Sequence, residues 1–463
     1  MGKKNKRKTN SLNNGVVQPV VEAPQAITPT TPTSDNPNLI YGRVVKISHD
    51  NLVFIPNDRK AVSGQVLLLN ERKTLPRFEN KLVSLELSPT RTNSRPMGTI
   101  VEILGEAGNP IAEYDTIAQA HGAIMSWSDP QILAELANIP LEVDPSKFNF
   151  VDESGVLRID NGANETVVDL THLNFTTTDP ITCRDMDDSI YSTFDENGNL
   201  VIYTAVADVT RYVAPESEIG KQYFRGGFTF YASNKAYNIL PTELSTGICS
   251  LNPNVNRMAF VVKTVVDPKT GNPIESKFMS AMIRSREKFH YEQAQEIVDT
   301  HPTHTRMYLF DKCRAGVPLT REEQVIMNKV ASDILQKGFS ARESVQFNTR
   351  NEYKPVYSED GLQIVDIKLE DDCAYHQVIA NFMITANEEA ARFALEHNIP
   401  IVYRVHDEPN DRKIAQALEF FGYLNIPFDG DLSPQGTKQI LESVKGTKKE
   451  QVVNTFLIRM QSK

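Results

Sequence analysis

From residue 42 the chain runs in short apolar segments that alternate with polar positions and break at turn residues: "GRVVKIS", "NLVFIP", "GQVLLLN", "KLVSLELS" and "MGTIVEIL". Alternation over four to eight residues predicts half-buried strands, and five of them in succession predict a small β-barrel, OB-like in strand content, over 39–105. "SDPQILAELANIP" changes period and predicts an amphipathic helix capped by Ser128 or Asp129. It lies in a segment, 106–167, that reads as a helical connector. "NLVIYTAVADVTRYV" follows a "DENG" turn and predicts paired or buried strands. Further on, Ile379, Phe382, Met383, Ala386, Ala390 and Phe393 recur at helical spacing. The pattern therefore predicts a multidomain protein: an all-β barrel, then an α+β unit over 168–463 with its strands ahead of its main helices.

Residues 1–38 do not fit that pattern. Five basic residues fall in the first eight, followed by a polar stretch holding Pro19, Pro24, Pro29, Pro32 and Pro37. Such a segment has little to bury and reads as a disordered tail, whose basic tip either touches phosphates or serves solubility. No apolar run approaches bilayer length, and no apolar core follows the basic start as a secretory leader would require. The four cysteines, Cys183, Cys249, Cys313 and Cys373, are far apart and lack any CxxC pair. That spacing predicts free thiols in a cytoplasmic setting and argues against a disulfide framework or structural zinc. A net charge of −10 argues against indiscriminate binding of nucleic acid, yet leaves room for a local basic channel.

The densest chemistry is "DPITCRDMDDSI", residues 179–190, with Asp179, Asp185, Asp187 and Asp188. Carboxylates so close repel one another. Three explanations compete. A calcium loop of the EF-hand kind fails, because Ile190 stands where the sharp turn needs glycine and strand-like sequence follows. A solvated acidic loop and a magnesium site both remain. Mg2+ takes hard oxygen ligands, and two such ions about 4 Å apart serve phosphodiester hydrolysis. Arg184, inside the cluster, could pair with a carboxylate or a substrate phosphate.

The surrounding stretches resemble the ribonuclease II/ribonuclease R family, the RNB nucleases. The family pattern D-P-x-x-x-[K/R]-D-x-D-D-[A/S]-[I/L] is matched throughout by residues 179–190, and "VVDLTHLNFTTTDP" leads into it. "AVADVTRYVAPESEI", "RGGFTFYASNKAYNILPTELSTGICSLNPNVNRMAFVVK", "FMITANEEAA" and "YRVHDEP" resemble further family blocks in the same order. The resemblance implies an RNB catalytic domain preceded by a cold-shock-type OB barrel. It further implies hydrolysis of single-stranded RNA from the 3′ end to nucleoside 5′-monophosphates. Asp179, Asp185, Asp187 and Asp188 match the carboxylates that hold two Mg2+ ions, with Asp187 the one most closely tied to catalysis and Asp185, also offered as catalytic, a ligand acting directly or through water. Tyr231 matches an aromatic that stacks on the terminal base, a contact every base can make. Arg225, Arg257 and Arg404 are offered for the RNA backbone, with a structural ion pair as the alternative for each. Asn252 and Pro253 read as turn formers, and His406 as a structural hydrogen-bonding group.

Two departures stand against the family pattern. Ala380 and Asn381 replace glutamates that precede "FM". A block like HFTSPIRRY, whose arginines grip phosphate near the scissile bond, is not found. Losing such an arginine costs orders of magnitude in rate. Three readings follow: a fragment, a chain completed by a second polypeptide, or a reduced relative. The leading expectation is a Mg2+-dependent exoribonuclease with RNA as partner and no membrane. The alternative is an RNA-binding or scaffold protein with little nuclease activity.

Overall fold

The computed structural model describes residues 36–460, apart from breaks at 37, 49–50, 59–61, 63, 93–94, 233–234, 302–304, 343–344, 346, 348–351, 371–372 and 404–408. The basic tail, except for its last few residues, together with Arg404 and His406, lies outside the described residues.

The five expected strands form: β1 (Leu39–Ser48), β2 (Asn51–Pro56), β3 (Val66–Leu68), β4 (Lys81–Thr92) and β5 (Arg95–Glu106). They close a barrel in the order β1-β2-β3-β5-β4, with β4 pairing back onto β1. Their inward positions, among them Val44, Phe54, Val66, Val83 and Leu85, pack around Phe78. Gly42 permits the closure, since a Cβ there would fall 2.2 Å from the Ile55 carbonyl oxygen.

Helix α1 (Pro110–Ala120) begins at Asn109, whose side chain accepts from the Ile111 and Ala112 amides, and packs back on the barrel. Helix α2 (Pro130–Leu136) is capped by Asp129, which accepts from the Gln131 amide at 2.8 Å. The connector expected to be helical is so only in its first part. Strands β6 (Phe148–Val151), β7 (Leu157–Ile159) and β8 (Glu165–Asp169) follow. They bury Phe148, Phe150 and Val167 against Met258 and Met282, which a surface connector would leave exposed.

Strands β9 (Thr176–Asp179), β10 (Asp188–Phe194) and β11 (Leu200–Ala207) come next, then helix α3 (Glu218–Gly226) and a ribbon of β12 (Phe230–Tyr231) and β13 (Ala236–Tyr237). After them run β14 (Asn256–Val266), β15 (Pro273–Arg284) and β16 (Glu287–His290). Among the described residues, β6–β11 and β14–β16 make a nine-stranded sheet ordered β16-β9-β10-β11-β14-β15-β8-β6-β7.

The helices follow the strands, as the sequence pattern predicts: α4 (Tyr291–Thr300), α5 (Thr305–Arg314), α6 (Arg321–Ala341) and, beyond a ribbon of β17 (Glu352–Tyr357) and β18 (Ile364–Glu370), α7 (Tyr375–Glu396). Helices α4, α6 and α7 cover one face of the sheet, where Ile190, Ile202, Val325, Ile379 and Phe382 meet. A second core, with Phe175, Met186, Tyr203, Val261 and Ile283, fills the other face. Helix α6 approaches the β14–β15 turn backbone to backbone. A Cβ on Gly338 would lie 2.4 Å from the Gly271 oxygen, and one on Gly271 would lie 2.2 Å from the Ile334 oxygen. Helices α8 (Asp411–Tyr423), α9 (Pro434–Val444) and α10 (Glu450–Met460) make a separate cluster around Phe421, Ile440 and Leu457.

Candidate active site

The aspartates sit where β9 ends and β10 begins. Asp179 is the last residue of β9 and Asp188 the first of β10, so the loop between them returns the chain to the same end of the sheet. Asp179 pairs in register with His290 of β16, and Asp188 with Val206 of β11. Both ends are thus fixed by ladders on either side.

The loop itself is tied down from below. Met186 is buried, its amide donates to Ser250 Oγ at 3.1 Å, and its carbonyl accepts from the Leu251 amide. The same Ser250 hydroxyl donates to the Arg184 carbonyl at 3.1 Å. The Asp187 carbonyl accepts from the Ala207 amide, and Lys288 Nζ donates to the Cys183 carbonyl. Beneath the strands, Asn328 of α6 accepts from the Ser192 hydroxyl at 2.7 Å and from Gln324 at 3.0 Å.

These ties bring the carboxylates together. Cys183 Sγ lies 3.6 Å from Asp179 Oδ1 and 3.5 Å from Asp185 Oδ1, so the thiol is within donating reach of both carboxylates. Burial pushes the thiol up to about 12, and the charges on Asp179 and Asp185 add to the effect. Burial also raises Asp179, a shift opposed by the Cys183 hydrogen bond and by Lys288. Asp188 is pushed up to about 7, by burial first and then by Asp179 and Asp187. Asp187 keeps solvent access on its outer side, yet the protein around it, with Asp185 and Asp179, lifts it to about 6.

Among the described residues, no group of three or more His, Cys, Asp or Glu side chains is already drawn up as a finished metal-ligand set. The donor set nevertheless fits a hard cation. It offers four carboxylates, an Asp179 Oδ2 that is buried and accepts no hydrogen bond, and two elevated pKa values that a neighbouring positive charge would lower.

Tyr231 stands beside this cluster. It is 70% exposed, and after burial the charges of Asp185 and Asp187 are the next causes that raise its phenol. Arg184 is exposed on the loop, and Arg225 is exposed in the last turn of α3. Arg257 is placed otherwise. It is buried, its Nε donates to the Ser250 carbonyl at 2.9 Å and its Nη1 to the Asn256 carbonyl at 3.0 Å, so it braces the segment under the loop. Asn252 also braces that turn, donating to the Thr246 carbonyl at 3.1 Å. Asn381, at a family glutamate position, is buried and donates to Ser332 Oγ of α6 at 2.9 Å, away from solvent.

Sequence reasoning missed Ser250, Cys183, Lys288 and Tyr291. The Tyr291 phenol is raised by burial and then by Asp179 and Asp188, and its ring stacks on His376 at 3.8 Å. "ICSLNP" contained the only available signal for Ser250. Nothing in the spacing of Tyr291 distinguishes it from a core aromatic.

Comparison with known proteins agrees with this architecture. Ribonuclease R of Mycoplasma genitalium, solved in complex with ribose-methylated single-stranded RNA, superposes with a TM-score of 0.74 at 20% identity, covering 92% of this chain and 62% of that one. Yeast Ssd1, a pseudonuclease, superposes at 0.64 with 15% identity, covering 92% and 49%. The fold is therefore that of ribonuclease R. In sequence, ribonuclease R of Vibrio parahaemolyticus is 26% identical over 410 residues, 88% of this chain and 45% of the relative. Ribonuclease R of Escherichia coli is 26% identical over 380 residues, 82% and 43%. The chain spans less than half the length of these two relatives. The RNB domain matches residues 167–463, and the chain belongs to the RNB family. No helix among the described residues is long and apolar enough to cross a membrane.

Proposed function

We propose that the chain is a Mg2+-dependent 3′→5′ exoribonuclease that hydrolyses single-stranded RNA to nucleoside 5′-monophosphates, with 39–105 acting as a cold-shock-type OB barrel that binds RNA. The gathering of Asp179, Asp185, Asp187 and Asp188 at one end of the sheet, two of them on the Cys183 thiol and with Tyr231 beside them, carries this reading. The barrel assignment is supported by its five closed strands in the order β1-β2-β3-β5-β4. Fold alone does not separate a nuclease from a binder, since a pseudonuclease shares it. Retention of all four carboxylates favours the enzyme, because clustered charge carries a cost that a binder has no need to bear.

In this reading the four aspartates hold the cations. Bound Mg2+, as one ion or two, supplies neutralisation of these carboxylates and of the charge that gathers on a scissile phosphate. Asp187, the carboxylate with solvent access, orients the attacking water by accepting a hydrogen bond from it. Ser250 and Lys288 keep the loop still while this happens. Tyr231 stacks on the 3′-terminal base, and Arg184 and Arg225 meet the backbone.

The test uses 5′-labelled single-stranded RNA with Mg2+, beside an EDTA control and Asp187→Asn. Stepwise shortening from the 3′ end, lost in both controls, is expected. RNA that stays intact but bound, equally with and without Asp187→Asn, would replace the enzyme with an RNA-binding protein.

A further inference from the structure

Strands β12 and β13 have two residues each, too few for a ribbon to hold itself in water. Something else must fix Tyr231. Successive strand residues face opposite sides. Tyr231 faces out, and Phe230 faces back onto Tyr237, with ring centroids 5.7 Å apart. Tyr237 is 3% exposed and shares a small core with Ala118 of α1 and Ala123 just beyond it. One turn earlier on α1, Asp115 Oδ1 accepts a hydrogen bond from the Tyr237 hydroxyl. Lys235 Nζ reaches the same oxygen at 3.1 Å and lies 4.3 Å from the centre of the Tyr237 ring. Lys235 and Tyr237 flank Ala236, the cross-strand partner of Tyr231. Two of the four residues 231 and 235–237 are thus anchored, on the back of the ribbon, to one carboxylate.

We infer that Asp115 is a positioning residue: through Tyr237 and Lys235 it sets the β12–β13 ribbon so that Tyr231 stands beside the aspartate cluster. The inference rests on the reading of Tyr231 as the platform for the terminal base. Helix α1 follows β5 directly and packs against β1, β4 and β5. The same helix therefore links the barrel to the aromatic at the site. Replacing Asp115 by Asn keeps the shape and removes the charge that holds both Lys235 and the Tyr237 hydroxyl. Charge-assisted hydrogen bonds of this kind are about twice as strong as neutral ones.

The experiment uses single-stranded RNA carrying 2-aminopurine as its 3′-terminal base, whose fluorescence is quenched on stacking. It is run with Mg2+ in an Asp187→Asn background so that the RNA survives. The reference protein is expected to quench the probe at saturation, and Tyr231→Ala to lose that quenching. Asp115→Asn and Tyr237→Phe are expected to lose a large part of it while still binding RNA, with Asp115→Glu restoring it in part. In the cleaving background, Asp115→Asn is expected to lower kcat/KM about tenfold, the loss one charged hydrogen bond can carry. Full quenching in both Asp115→Asn and Tyr237→Phe overturns the positioning role while leaving Tyr231 as the platform. Equal signals from the reference and Tyr231→Ala overturn the platform, and the role of Asp115 falls with it.

Discussion

Ser250 is the cheapest place to loosen the aspartate loop without touching an aspartate. Its hydroxyl accepts from the Met186 amide and donates to the Arg184 carbonyl, both at 3.1 Å, and the residue is fully buried. Ser250→Ala removes one oxygen and leaves the backbone path intact. Arg184 is exposed, so its carbonyl can turn to water. Met186 is 3% exposed, and its amide is left buried without a partner. An unpaired buried donor costs about 1–3 kcal/mol, and the second hydrogen bond adds roughly 0.5–1.5 kcal/mol. A loss of about 2–4 kcal/mol lowers the melting temperature by roughly 3–6 °C for a domain of this size. Calorimetry with and without Mg2+ would read that loss. Titration calorimetry is expected to show weaker Mg2+ binding, because Asp185 and Asp187 flank the released Met186. A Ser88→Ala control, on the exposed end of β4, should sit within experimental error of the parent. Unchanged melting and unchanged Mg2+ affinity in Ser250→Ala would refute the account of how the loop is held.

Three further outcomes follow from the same geometry. Asp188 and Asp187 bind their protons more tightly folded than unfolded, with values of about 7 and about 6 against 3.8, so their contribution is complete below about pH 4 and is lost as pH rises towards 7. The EDTA-treated protein should therefore lose melting temperature between about pH 5 and 7.5, Asp188→Asn should flatten that slope, and Mg2+ should stabilise most at the upper end; a slope that Asp188→Asn leaves untouched would sink the assignment. Arg257→Lys should lower the melting temperature yet leave the slope of log affinity for RNA against log salt unchanged, whereas a phosphate-contacting arginine would flatten it by about one. Asn328→Leu strands the Ser192 hydroxyl in the core, leaves Gln324 Nε2 only its bond to the Ser192 carbonyl, and should cost about 1–3 kcal/mol in chemical denaturation, with Mg2+ affinity falling as β9 and β10 lose their floor. A variant as stable as the parent would show that this network carries no load.

Much of this was legible in the chain, for a definite reason. Barrel strands bury one face, so alternation gave all five, and only their lengths differed: β4 and β5 run to 12 residues each, through irregularities in their pairing. Helix α7 was marked by the stripe that buries Ile379, Phe382 and Ala386. The aspartates were marked by their own improbability. Strands β6 to β8 were not visible, because β8 pairs with β15, more than a hundred residues further on, and local pattern carries no trace of that partner. Arg257 stayed open between a phosphate contact and a structural role for a related reason. An arginine in a family block reads as a phosphate contact, while its two carbonyl acceptors emerge only when the 250 and 256 segments fold together. Asp115 gave no signal at all, since its partners lie about 120 residues away and its own neighbours look like an ordinary helix.

The meeting of Gly338 with Gly271 limits how this protein can change. Most close contacts can be renegotiated, because a larger side chain on one side is answered by a smaller one opposite. Here each glycine faces main chain, and main chain has nothing smaller to become. Gly271 is held twice, since its backbone also has φ of 74°, a region other residues enter at a penalty. The two positions are therefore frozen separately, without any trade between them. A library randomised at both should return glycine at each, far from the aspartates, with as little tolerance as at the site itself.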